Sequence, residues 1–87
     1  MTLDTLIEEG EQVKQTCYHE AHPLSYIEGQ EYENWKAKCK RFLQLNYFGS
    51  KQTEEFEEIE RSKNITSVTK CEKLIAILVA LRDIPDN

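Results

Sequence analysis

Apolar positions recur with a helical period in four stretches of the chain. At 100° per residue, Leu3, Leu6, Ile7, Gly10, Val13 and Cys17 fall within roughly one third of a helix circumference, and Glu8, Glu9, Glu11 and Gln12 face away. This predicts a first helix from about Leu3 to Cys17, with Thr2 at its N-cap. Gly10 lies on the apolar stripe, where it costs up to ~1 kcal/mol of helix propensity relative to alanine. A close approach by another helix is the expected reason.

The period breaks between Tyr18 and Ile27, and His22-Pro23 disfavours helix at His22. A structured loop is expected here, with Tyr26 and Ile27 tucked against the core. A second helix is predicted over about 30–48, ending at Gly49 as a residue beyond its C-cap. Its inner face is Tyr32, Trp35, Cys39, Phe42, Leu43, Asn46 and Tyr47, so Trp35 should sit at the centre of the core. Ser50 or Thr53 can cap a short third helix over 51–61, anchored by Phe56 and Ile59. The fourth helix, about 68–84 and ended by Pro85, is the most apolar. The expectation is therefore one all-α domain over residues 1–87, a compact and irregular bundle of about four helices.

The fourth helix carries more apolar surface than one packed face needs. Taking Val68 as origin, Val68, Cys71, Ile75, Leu78 and Val79 cluster between about 280° and 20°. Leu74, Ile77 and Leu81 form a second row between about 180° and 240°. Three large aliphatics in one exposed row would make a patch that soluble monomers rarely tolerate. Either the helix is central and buried on both flanks, or Leu74, Ile77 and Leu81 are a partner interface. The second alternative is the favoured expectation.

Composition narrows the partners. Apolar residues are 39% and charged residues 31% of the chain, a globular balance, and the net charge is −5. That charge disfavours direct binding to nucleic acid or an anionic membrane. Residues 1–35 hold eight acids against Lys14 alone, whereas 36–51 hold Lys36, Lys38, Lys40, Arg41 and Lys51 with no acid. A local basic patch on an acidic protein follows. No signal-peptide pattern opens the chain, and its longest apolar run, Leu74 to Leu81, falls far short of the ~20 residues needed to span a bilayer. Three widely spaced cysteines suit reduced thiols, and a cytoplasmic location is the expectation.

Candidate chemistry is sparse. Cys17, His19 and His22 bring three potential zinc ligands within six residues, but their spacing matches no standard zinc pattern. His19-Glu20-Ala21-His22 also falls one residue short of the helical motif that places two histidines a turn apart. No metal, cofactor or catalytic residue is predicted. Glu54, Glu55, Glu57 and Glu58 form an acidic face that can mimic nucleic acid or meet a basic partner. The helix dipole accounts for much of it, since these acids start a helix that ends at Arg61.

The order Leu6-Ile7-Glu8-Glu9-Gly10-Glu11, then Tyr32-Glu33-Asn34-Trp35-Lys36, Arg41-Phe42-Leu43 and Lys73-Leu74-Ile75-Ala76-Ile77-Leu78 before Ile84-Pro85 carries a resemblance. It is similar to a small helical domain at the N-terminus of uncharacterised bacterial proteins, some tied to defence or mobile elements. The resemblance implies a helical fold, transfers no catalytic residue, and makes this chain a free-standing version or an excised domain. The functional expectation is a non-enzymatic bacterial protein-interaction or oligomerisation domain that docks through its C-terminal helix. The alternative is a small acidic inhibitor, of phage or mobile-element origin, that blocks a basic nucleic-acid-binding groove of an enzyme.

Overall fold

Thr2 opens the first helix as its sequence position predicts. Its side-chain oxygen accepts a hydrogen bond from the Thr5 backbone N–H at 3.2 Å, which satisfies one of the free donors at the helix start. In the computed structural model, which describes residues 2–84, four helices follow in order. They are α1 (Leu3–Thr16), α2 (Gln30–Asn46), α3 (Lys51–Arg61) and α4 (Ser67–Asp83). Ser50 and Thr66 cap α3 and α4 in the same way as Thr2 caps α1. Pro85, expected to end the fourth helix, lies outside the described residues; α4 has already stopped at Asp83.

The loop between α1 and α2 contains a small element that the period did not reveal. Strands β1 (Tyr18–His19) and β2 (Tyr26–Ile27) pair antiparallel, Tyr18 opposite Ile27 and His19 opposite Tyr26. Ile27 is buried, as expected, and its backbone N–H donates to Ser67 Oγ at 2.8 Å, fastening the hairpin to α4. Tyr26 instead stays 40% exposed and stacks on the His19 ring.

Side-chain pairs fix the helix directions. Lys14 pairs with Glu72 and Arg82 with Asp4, so α1 and α4 run antiparallel. Lys38 pairs with Glu9 while Gly29, just before α2, lies against Cys17, so α1 and α2 are antiparallel too. Lys70 Nζ donates to the Glu60 carbonyl and Gln44 Nε2 donates to Glu57, which sets α3 against both α2 and α4. The helices therefore alternate up and down, with α1 and α3 each packed between α2 and α4. One end of the 43 Å long axis carries the hairpin; the other carries Thr2, the α2–α3 turn and Ile84.

Trp35 organises the interior. It has no exposed surface, stacks near Tyr32, and donates its indole N–H to the Leu6 carbonyl at 2.8 Å. That bond satisfies the one polar atom of a large apolar group. Gly10 lies beneath the ring, where an added Cβ would come 2.6 Å from Trp35 Cζ2. The expected close helix approach is thus the indole of α2 pressed onto α1. At the far end of α2, Gly49 adopts φ +77°, which lets the chain reverse into α3, although it stands two residues past the Tyr47 cap rather than next to it.

Candidate docking surface

The apolar row of α4 is not on the surface. Leu74, Ile77 and Leu81 are 0%, 7% and 2% exposed within the single chain. The sequence expectation of a partner interface at these three residues is therefore corrected: α1 and α3 cover opposite flanks of α4, and β2 also packs on it. The wide apolar arc belongs to a central helix that shows solvent only a narrow edge, where Glu72, Lys73, Ala76 and Ala80 lie.

The other sequence candidates separate in space. Cys17 is buried, with Sγ 3.9 Å from Glu31 Oε2, whereas His19 turns outward, stacks on Tyr26 and places Nε2 3.2 Å from the Glu28 carbonyl. His22 is exposed at the hairpin tip. Among the described residues, no three His, Cys, Asp or Glu side chains converge on a common point. Cys39 and Cys71 lie in the core as free thiols. Burial pushes the Cys39 thiol up to about 12 and the Cys71 thiol up to about 11, so both stay protonated at neutral pH and are poor nucleophiles. Glu54, Glu55 and Glu58 are exposed on α3; Glu57 is half-buried and accepts from Gln44 Nε2 at 3.2 Å.

A different surface emerges on the outward side of α2. With Ala37 as origin, Arg41, Leu45, Lys38 and Phe42 lie at about 40°, 80°, 100° and 140°, outside the buried arc of Trp35, Cys39 and Leu43. These residues, with Asn46, line an open groove of about 620 Å³. Leu45 is 68% exposed and Phe48, just beyond the helix, 88% exposed. Phe42 is half-buried and held by a tilted contact with the Tyr47 ring. Asn46, expected on the inner face, is exposed and donates its side-chain amide to the Phe42 carbonyl at 2.9 Å.

The charge around this strip is positive. Lys38 is paired with Glu9, but Arg41 has no acidic partner among the described residues. Exposed carboxylates stand on the helices to either side, Glu8 on α1 and Glu54 and Glu58 on α3, while Asp4 pairs with Arg82 of α4. The arrangement is a narrow apolar track with a cationic edge, framed by acidic neighbours. Sequence reasoning missed Leu45 because it is a single apolar residue between Gln44 and Asn46, an ordinary occurrence on protein surfaces.

No helix among the described residues is long and apolar enough to cross a membrane. Compared with known protein families, curated proteins and solved structures, the chain matches no family model, no curated sequence and no solved structure. The family resemblance seen in the sequence rests on the residue pattern alone.

Proposed function

We propose that this protein is a non-enzymatic interaction module that docks a protein partner through the outward strip of α2. The observation that carries the reading is the exposure of Leu45 beside the half-buried Phe42 and the unpaired Arg41 in one groove. Large apolar side chains left in water at one place, with polar groups at the rim, favour contact with another surface. The functional expectation of a docking domain is kept, while its surface moves from α4 to α2.

Site-specific photo-crosslinking tests this. A crosslinker replacing Leu45 should give one discrete heterologous adduct in the native cell, and the same group at exposed Ala80 should not. Excess wild-type protein should compete the adduct away, and a Leu45→Glu protein should not. Identical adducts from both positions would refute the reading. An adduct formed from Glu54 or Glu55, and not from Leu45, would favour the acidic-inhibitor alternative.

A further inference from the structure

Resting on the docking reading above, we infer that the occupant of the α2 strip is an acidic amphipathic helix of a partner protein. Its apolar side would meet Phe42 and Leu45, and its flanking Asp or Glu residues would meet Arg41 and Lys38. The shape of the strip argues for a helix. Ala37, Arg41 and Leu45 recur every four residues, so the groove follows the α2 axis. From Ala37 to Asn46 it runs roughly 14 Å, about two and a half helical turns at ~1.5 Å per residue. Ala37 supplies a low point at which a second helix can approach closely, as ridge-into-groove packing requires.

Charge selects among possible occupants. In a symmetric pair formed by two copies of this chain, the same patch meets itself. Arg41, already without an acidic partner among the described residues, would then be brought toward its own copy across the contact. An anionic bilayer would complement that cation, but it is broad and flat. To seat Leu45 and Phe48 it would also have to meet the exposed carboxylates of α1 and α3 on either side. A helix about 10 Å across makes a narrower contact, along the groove lined by Lys38, Arg41, Phe42 and Leu45.

The probe is a displayed library of helical peptides about 18 residues long, above the length at which an isolated helix is marginal in water. Three leucines at helical spacing are held fixed and the flanking positions are randomised. Selection on the full-length protein should enrich Asp and Glu at the flanks. The selected peptides should lose at least about tenfold in affinity against Arg41→Glu, and Lys-flanked peptides should gain against that variant. Arg41 is exposed, so the variant should melt like wild type, which separates lost binding from lost fold. Leu45→Glu should abolish selection altogether.

Enrichment of neutral or basic flanks would overturn the acidic-helix inference while leaving docking at α2 intact. Failure to select any peptide that depends on Leu45 would overturn both. Binding to phosphatidylserine vesicles that is lost in Arg41→Glu, or a concentration-dependent dimer lost in Leu45→Glu, would replace the peptide by a bilayer or a second copy.

Discussion

Replacing Gly10 by alanine sets two effects of opposite sign against each other, and the structure decides which wins. In an exposed helix the change would stabilise by up to ~1 kcal/mol through propensity. Here the new methyl would stand 2.6 Å from Trp35 Cζ2, 3.0 Å from Cε2 and 3.1 Å from Ile75 Cγ1. Carbon atoms prefer separations of about 3.5–4.0 Å, so the ring would have to retreat by most of an ångström. It has nowhere to go without cost, because Trp35 is fully buried and its N–H is held by the Leu6 carbonyl. Overpacking a core costs roughly 1–3 kcal/mol, and a buried N–H that loses its partner adds about 1–3 kcal/mol. Offset by the propensity gain, the net loss should be about 3 kcal/mol, or a Tm lower by roughly 12–24 °C for a domain of this size. Thermal melts followed by circular dichroism would measure it. In a Trp35→Leu background only the 3.1 Å approach to Ile75 Cγ1 remains, and the same Gly10→Ala change should then cost much less. A stabilised Gly10→Ala protein in the wild-type background would refute the close packing of α1 against the indole.

Other expectations follow from the same packing. Ile77→Glu should unfold the protein, seen as loss of the cooperative melt, because it places an unpaired charge between α4 and its neighbours; a folded variant would contradict the central position of α4. The Cys39 and Cys71 thiols titrate higher when folded than when unfolded, so stability should be fully present below about pH 8.5 and decline as pH rises through about 11 to 12. The urea midpoint should fall accordingly between pH 8 and higher pH, and a Cys39→Ala, Cys71→Ala double variant should show a shallower decline. Ser67→Ala removes the acceptor of the buried Ile27 N–H, costing about 1–3 kcal/mol. Amide exchange at Ile27 should accelerate while exchange in α2 changes little if the hairpin is held to α4 chiefly by this bond.

The helices were legible because each signal was local or periodic. Thr2 and Ser50 cap as expected, the four apolar stripes give helices whose ends differ by no more than two residues from those observed, and Trp35 is central. The hairpin escaped because two-residue strands are too short for alternation to show. Thr53 was weighed as a cap but is a buried tie: its hydroxyl donates to the Tyr47 carbonyl at 2.8 Å, closing the α2–α3 turn. Only the three-dimensional path of that turn brings the two groups together.

The docking surface was misplaced for a reason that applies to other small bundles. An apolar arc measured on one helix gives the amount of surface to be covered, but leaves open whether the cover comes from the same chain. Leu74, Ile77 and Leu81 looked like excess because one packed face was assumed, whereas α4 has covered flanks on both sides. On α2 the error ran the other way. Phe42 was counted as interior, yet it is half-buried and lines the groove beside Leu45. The basic run from Lys36 to Arg41 was visible in the sequence, and the apolar residues next to it were visible too. That Phe42 and Leu45 share one groove with Arg41 was not, because the helical period alone puts Phe42 on the inner face. A patch of this kind becomes readable when charge and apolar exposure are mapped together on a known helix orientation, which here singles out Arg41 and Leu45 as the pair that separates docking from packing.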